Sequence, residues 1–510
     1  MRDEGFDIIV VGGGGSGLAS AVAAAERGAK VLVIEKTKQL GGTTGIAVGS
    51  FTANQTSDQE RNGIADSPDH HEEDASRFGP PEIQQRNNRE LRRYFLGEAA
   101  QTLEWLKGMG IQFHGPSPEP PNRVPRMHNV VPNAKAYIAT LQGRLVQLGG
   151  EFMCMAKVER LLIKDQRVVG VEIQRLDHND SAQFKARNGV VLAAGDYTNS
   201  PDLIGKYKGQ AFTAIEGINP HSTGDGHLLA KQAGAKLVNM EITYGPEIRF
   251  VPPPRETIIK RLPTSGLWTR AMGHLLPMVP NKLLNSVIKR LLVTWQHPED
   301  SLFSDGAILI NQSGQRFCNE LRSPEREIAI AQQAKKHAYL LLDERLIRKY
   351  SQWPHFISTA PEIAYAYVKD YLKLRPDVSI QSTPMEDLES VRGLPSRSIE
   401  KAVHRFNEYT SGNQLDEFGR TGDSYQLRGQ QWVLLGPVKA YFTTTEGGAA
   451  IDQQMRVLDE SGRPIKGLFA VGQNGLGGQV LWGHGLHIAW AMTSGRLVGQ
   501  HLTSQPEAGT

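Results

Sequence analysis

The stretch FDIIVVGGGGSGLASAVAAAERGAKVLVIE, residues 6–35, constrains the fold more than any other part of the chain. Phe6–Val11 is a short β-rich apolar run suited to a strand buried on both faces. Gly12, Gly14 and Gly17 follow in GxGxxG spacing, then a helix of small residues, then a second strand, KVLVIE, ending in Glu35. Gly12 permits the tight turn, Gly14 lets backbone amides approach a pyrophosphate, and Gly17 lets the helix pack close to the strand. The helix N-terminus, with Gly15 and Ser16 in its first turn, offers unpaired N–H groups and a positive dipole to phosphates. Glu35, followed by Lys36, can accept hydrogen bonds from both ribose hydroxyls and would repel a 2′-phosphate. A lone GxGxxG is a weak signal. Here strand, helix, strand and acidic residue share one βαβ unit, the context that gives the motif its meaning, and a dinucleotide site is predicted.

At 510 residues the chain has room for two or three structural domains. Hydrophobic content of 39% and charged content of 22% describe an ordinary globular protein. Lys+Arg 57 against Asp+Glu 54 leaves +3, which gives no reason to expect nucleic acid as a partner. Cys154 and Cys318 are the only cysteines and form no CxxC, which argues against disulfides, a zinc ribbon or a CxxCH haem site. The first strand begins too early to leave room for a signal peptide, so a cytoplasmic location is expected. The polar stretch from about 54 to 90, with DSPDHHEEDAS, is expected to be a solvated excursion with His70 and His71 exposed.

Beyond Glu35 comes LGGTTGIAVGS, a second glycine–hydroxyl segment containing Gly42, Thr43, Thr44, Gly49 and Ser50. A nicotinamide site does not need it, whereas a flavin must be held along its whole length. Further segments follow in order: NGIADSP at 62–68, EWLKGMGIQF at 104–113, VVLAAG at 190–195, STGDGHLLAKQAGA at 222–235 and ILINQSGQRFCNE at 308–320. DEFGR at 416–420, TEGGAAID at 445–452 and GLFAVGQNGLGG at 467–478 complete the series. On these segments the chain resembles, over nearly its whole length, the flavoprotein superfamily of fumarate reductases and 3-ketosteroid dehydrogenases.

The resemblance implies an α/β fold: a Rossmann-like FAD-binding domain, residues 1–245 and 436–510, interrupted by an α+β capping domain, 246–435. Proline- and glycine-marked breaks around 246–256 and 434–440 agree with those seams. It also implies FAD contacts from Ala194, Gly195, Asp225, Gly472 and Gln473. Some members of the superfamily attach FAD to a histidine after the first glycine motif. Gly41–Ser50 has none, so a non-covalent cofactor is expected. Asp196 stands where the superfamily usually has a second glycine.

Near the C-terminus the chain reads GQVLWGHGLHIAW, residues 478–490. A metal site at His484 and His487 lacks further ligands. In the superfamily this segment starts a helix whose N-terminus, here Leu486, His487 and Ile488, points at the flavin and stabilises charge on its reduction. Trp490 would be core, and Trp482 would lie in the loop facing the substrate. Dicarboxylate reductases place an arginine at 482 and histidines in an HHTxGG segment; this chain has Trp482 and Thr443–Gly448, with Glu446 adding negative charge. WGHGLHIAWAMTSGR is instead similar to the ketosteroid dehydrogenase pattern GYxxGLSLA…SGR. These departures point to an aromatic-walled pocket for a small apolar carbonyl compound.

The reaction implied is removal or addition of two hydrogens across a carbon–carbon bond beside a carbonyl, by hydride transfer involving flavin N5. The candidates for the accompanying proton are Arg420 in DEFGR, Tyr425 five residues on, Tyr441, and His484, which titrates near neutrality. The alternative reading of Arg420, the less favoured of the two, is a structural ion pair in the cap, and the tyrosines read equally as packed aromatics. NKLLNSVIKRLLVTW, 281–295, has the pattern of an amphipathic helix, either buried against the cap or touching a membrane peripherally. A quinone or an electron-transfer protein is expected as electron partner. The alternatives are a fumarate reductase-like reductase of a small unsaturated acid, with Arg249 or Arg255 as countercharge, and a non-catalytic flavin-binding subunit.

Overall fold

The computed structural model describes residues 5–254, 293, 297–360, 364–412, 415–421 and 425–504. Its larger sheet has eight strands. Phe6–Val11 (β1) lies within it, with Ile8 opposite Val31 of Val31–Ile34 (β2) and Val11 opposite Leu192 of Ser181–Leu192, both parallel. Glu151–Met153 extends the sheet beyond β2, and Pro464–Ala470 extends it beyond Ser181–Leu192, again in parallel. Ile8, Ile9 and Val10 have no exposed surface, as a strand covered on both faces requires.

Helix α1 (Gly15–Ala25) connects β1 to β2 and packs on the C-terminal helix Leu486–Ser504. The two backbones approach closely because the facing side chains are small. A Cβ on Gly495 would sit 2.4 Å from the Ser16 carbonyl oxygen, and one on Gly499 would sit 2.4 Å from that of Ser20. Trp490 is fully buried, and its indole N–H donates to the Gly472 carbonyl oxygen at 3.0 Å.

A second, six-stranded sheet is built around Trp432–Phe442. Glu247–Phe250, Ala338–Leu342 and Ser379–Ser382 pair with this strand in antiparallel fashion, and Glu216–Gly217 in parallel. Val438, Ala440 and Phe442 point into a separate core with Ile308, Leu340 and Leu434. The expected α/β body with an α+β second lobe is present, but the break expected at 434–440 is not. Gly436 and Pro437 lie inside the strand, and the second core recruits residues from Tyr197 onward. Proline is tolerated there because the register with Ala338–Leu342 is irregular at this point.

The stretch 54–90 also differs from expectation. It forms helices Ser57–Arg61, Pro68–Ala75 and Pro81–Gln84 and the start of Arg89–Gly108. His70 is exposed as expected, but His71 is buried, with Nδ1 3.0 Å from Asn54 Nδ2. The polar residues pack because their charges find partners. Arg126 donates to Asp66 through Nε and Nη2 at 2.7 and 2.8 Å and to Asp74 through Nη1 at 2.7 Å, with all three side chains inaccessible. Burial alone would raise the pKa values of both aspartates, but Arg126 for Asp66, and the Arg123 backbone N–H followed by Arg126 for Asp74, hold them below the ordinary range.

The segment 281–295, apart from Val293, lies outside the described residues, as does Arg255. Val293 itself is buried in the second core. Among the described residues no helix is long and apolar enough to cross a membrane.

Candidate active site

The glycine turn after β1 gathers segments that are distant in sequence. Gly12 has φ +107, a conformation open to glycine, and a Cβ there would strike the Ala193 carbonyl oxygen at 2.4 Å. Gly17 comes so near that a Cβ would stand 2.0 Å from the Gly12 carbonyl oxygen. Glu35, at the end of β2, accepts hydrogen bonds from the Gly13 and Thr37 amides, both at 2.8 Å, which fixes its carboxylate beside the turn. Lys36 Nζ reaches Asp225 Oδ2 at 2.6 Å and Thr223 Oγ1 at 2.5 Å.

The short helix Gly42–Ile46 lies against the same turn. Gly41 N–H donates to the Gly13 carbonyl at 2.9 Å, and a Cβ on Gly15 would meet Thr44 Oγ1 at 2.6 Å. Thr43 Oγ1 accepts from Asn219 Nδ2 at 2.9 Å. Beyond that helix, Ser50 donates to Asn129 Oδ1 at 2.7 Å, and Gly49, at φ +100, clears Val130. Asn474 ties the far side together: its Oδ1 accepts from Ala194 N–H at 2.6 Å and its Nδ2 donates to the Gly195 carbonyl at 2.9 Å. Gly472 packs on Ser16, where a Cβ would lie 2.6 Å from Oγ. Asp196 is buried, and its carboxylate accepts from Thr198 N–H and Oγ–H at 2.9 and 2.7 Å.

These residues fit an FAD. Gly14 caps α1 without any side-chain hydrogen bond, and the first turn carries no acidic residue, so its amides remain available to a pyrophosphate. Gly14 also leaves space: a Cβ there would have no neighbour closer than 3.9 Å. The flavin's known ability to take up or give a hydride at N5 is the chemistry such a cofactor supplies.

The C-terminal loop and the second lobe meet around Trp482. Its ring stacks edge-to-face on Tyr244 with centroids 5.6 Å apart and presses on Gly79 from the other side. Glu247 Oε2 accepts from Arg249 Nη2 at 2.8 Å and from Thr443 Oγ1 at 3.1 Å. Arg249 Nη2 also reaches Thr443 Oγ1 at 3.0 Å. Burial opposes the charge on Glu247, but Arg249 and His297 keep its carboxyl below the usual range. Residues 247, 249, 439, 441 and 443 share one face of the sheet, because directly paired residues point the same way.

Across from this face stands His484. Glu119 Oε1 accepts from both its backbone N–H at 2.8 Å and its Nδ1 at 2.5 Å. The Glu119 side chain is buried, while that of His484 is 44% exposed. Burial pulls the imidazole toward neutrality, but the Glu119 hydrogen bond and charge outweigh it and raise the pKa. Tyr244 lies within electrostatic reach of Glu247, Arg249, Glu119 and Glu446. Burial first, then Glu247, push its phenol up to about 12, so it is neutral at pH 7.

Glu446 is fully buried and accepts from Leu481 N–H at 3.2 Å. Its Oε1 lies 3.0 Å from His487 Nε2, though without hydrogen-bond alignment, and His487 Nδ1 contacts Gln473 Oε1 at 3.1 Å. Gln473 in turn donates to Thr444 Oγ1 and the Thr445 carbonyl. Leu486 and Ile488 are buried in the first turn of the C-terminal helix. Among the described residues no group of three His, Cys, Asp or Glu side chains is placed to hold a metal ion.

Two of the four proton-transfer candidates lie elsewhere. Arg420 is buried in the second lobe, donating to Glu320 Oε2 at 2.9 Å, to the Phe303 carbonyl at 2.5 Å and to that of Ala307 at 3.3 Å. Glu320 also holds Arg316. The ion-pair reading of Arg420 is therefore the geometry observed, and its side chain has no exposed surface. Tyr425 is 58% exposed, with the Arg345 guanidinium over its ring at 4.6 Å. Tyr441 is buried on the face that carries Glu247, and burial followed by the Glu216 charge pushes its phenol up to about 12.

Sequence reasoning missed Glu119, Tyr244, Glu247, His297, Asn219 and Asn474. Glu247 and Arg249, two apart in a strand after Gly245-Pro246, carried a usable signal, since that spacing puts both on one face. Glu119, alone in SPEPPN, carried none.

Comparison with known proteins agrees with this geometry. The FAD binding domain family matches residues 7–480. A probable fumarate reductase of Shewanella frigidimarina is 24% identical over 98% of this chain and 75% of its own length. A vinyl phenol reductase of Lactiplantibacillus plantarum is 25% identical over 98% and 97%. Among solved structures, the open conformation of a flavocytochrome c3 fumarate reductase aligns with a TM-score of 0.71, 23% identity, and coverage of 98% of this chain and 78% of that one. A 3-ketosteroid-Δ4-(5α)-dehydrogenase from Rhodococcus jostii gives 0.59, 22%, 99% and 98%. With a family match spanning most of its length and the nucleotide cradle in place, the chain belongs to the FAD binding domain family and is an FAD-dependent oxidoreductase.

Proposed function

We propose that this enzyme adds or removes two hydrogens across a carbon–carbon bond beside the carbonyl of a neutral, apolar substrate, alicyclic or ketosteroid-like. The observation that carries this reading is the charge balance around Trp482 and Tyr244. Arg249 is paired with Glu247, and Glu119 and Glu446 add further carboxylates. A small dianion placed there would lose its hydration without gaining a matching positive charge. A neutral ketone against the two aromatic rings meets no such cost. The vinyl phenol reductase among the relatives, named for a substrate with an aromatic ring, is in line with this reading.

In this reading FAD is bound non-covalently, since Gly41–Ser50 offers no His, Cys or Tyr side chain for attachment. Gly12, Gly14, Gly15, Ser16 and Gly17 hold the pyrophosphate, and Glu35 and Lys36 the adenosine side. Gly42, Thr43, Thr44, Gly49, Ser50, Ala194, Gly195 and Asp225 line the middle. Gly472, Gln473, Leu486, His487 and Ile488 border the ring system. His484 handles the proton at Nε2, with Tyr244 and Tyr441 as neutral hydrogen-bonding walls. Electrons pass to or from a quinone or a separate electron-transfer protein.

One observation favours the unsaturated-acid alternative: Arg249 belongs to this group of side chains, bonded to Thr443, and several relatives are named for fumarate, urocanate or acrylate. Anaerobic reoxidation of the dithionite-reduced protein by cyclic enones against unsaturated acids, together with bleaching of the oxidised yellow protein by saturated cyclic ketones, separates the readings. Flavin spectral change with the neutral compounds is expected; change with the acids alone would overturn the proposal, and no change with either would favour a non-catalytic subunit.

A further inference from the structure

We propose that Glu119 is a positioning residue for His484: its carboxylate anchors the imidazole through Nδ1 and leaves Nε2, which carries a proton in the imidazolium form, as the atom presented to a substrate carbonyl. This rests on the functional reading above and adds a residue to it. One oxygen of Glu119 receives both the backbone N–H and Nδ1 of the same residue, so the loop and the ring are fixed by a single group. A second contact fixes the loop from the other side, where Thr52 Oγ1 donates to the His484 carbonyl at 2.6 Å. The next residue, Gly485, has φ +82, and a Cβ there would lie 2.8 Å from Thr52 Oγ1 and 3.0 Å from the Ser50 carbonyl. Two contacts thus fix the backbone of His484 and a third fixes its ring.

Glu119 is itself held. Its Oε2 accepts from Asn122 Nδ2 at 3.3 Å, and Asn122 Oδ1 accepts from Arg126 Nη1 at 2.8 Å, the arginine that is locked between Asp66 and Asp74. The buried polar network of the 54–131 region thus ends at a catalytic-loop histidine. A carboxylate on Nδ1 selects the tautomer in which that nitrogen carries the proton and stabilises the charged ring. The other groups acting on His484 are Glu247, which favours its charge, and Arg249 and His297, which oppose it. Glu119 is the nearest and the only one hydrogen-bonded to it among the described residues.

The test uses the FAD-loaded enzyme, with histidine isotope labelling and His484→Gln to assign the imidazole signal. Glu119→Gln keeps the shape and removes the charge, while Glu119→Asp keeps the charge. The His484 protonation midpoint is expected to fall by about one pH unit or more in Glu119→Gln and to stay near wild type in Glu119→Asp. In reduction, the pH at which kcat/KM declines should fall by the same amount, and His484→Gln should lose that limb of the profile. An unmoved midpoint overturns the proposal, as does a moved midpoint with an unmoved profile. The midpoint needs no substrate, so a wild-type enzyme that turns over only unsaturated acids would sink the substrate reading alone; the profile would then be taken on acrylate.

Discussion

Glu247 and Arg249, paired at 2.8 Å on one face of a strand, turn the positive group best placed to bind a carboxylate into half of an ion pair. Thr443 bridges the two, so the arginine is held in place as well as compensated. Substrate charge preference therefore depends on a neighbouring acid as much as on the arginine itself.

Replacing Glu247 by Gln should remove the carboxylate that holds Arg249 at 2.8 Å and shift the local charge balance toward positive. We expect kcat/KM for a small unsaturated acid such as acrylate to rise about ten-fold, corresponding to about 1.4 kcal/mol. The rise should appear mainly as a lower KM. Steady-state kinetics on acrylate and a cyclic enone side by side check this; an unchanged ratio of the two would contradict the charge-balance argument.

Arg126 is a stability determinant away from the chemistry. Changing it to Ala leaves the buried Asp66 without its arginine and Asp74 still bonded to Arg123, at a cost of about 3–5 kcal/mol. Arg126→Lys should recover only part of this, because lysine cannot make the forked contact with Asp66. Urea unfolding of the holoenzyme is the measurement.

The helix pair beneath the cofactor makes a packing prediction. In Gly495→Ala the new methyl meets the Ser16 carbonyl at 2.4 Å, which must push α1 and the C-terminal helix apart. Overpacking of this kind costs about 1–3 kcal/mol. Because Ser16 belongs to the nucleotide cradle, FAD should bind roughly ten-fold or more weakly. Fluorescence titration of apoprotein with FAD reads the change directly.

Acid should destabilise the fold well above the carboxylate range. Burial holds His71 at about 3, and His128 and His227 at about 4, against an ordinary 6.5. The unfolded chain then binds protons below about pH 6.5 that the folded chain refuses. Stability falls with pH from there to about 4, by about 1.4 kcal/mol per pH unit for each histidine. His484 acts oppositely: its raised pKa gives a contribution that is present below about 6.5 and lost as pH rises through the folded value. Urea midpoints between pH 7 and 5 should therefore drop, and drop less in His71→Gln.

The sequence by itself determined the nucleotide half of this protein. Phe6–Glu35 is local: strand, turn, helix and strand are contiguous, and glycine spacing reports directly on backbone approach, so Gly12, Gly17 and Glu35 could be placed without coordinates. The later glycine–hydroxyl segments were legible for the same reason, as was Trp490 in the core. Tertiary structure alone decided the polar half. His71 and Arg126 look like solvated residues until the fold supplies partners, Asn54 17 positions from the histidine and Asp66 and Asp74 more than 50 from the arginine. Arg420 matched a motif, yet Glu320, 100 positions off, takes up its charge. Glu119 meets His484 across 365 positions. Backbone geometry is written over a few neighbouring residues, whereas the partner of a buried charge is chosen by the packing of segments that no local pattern connects.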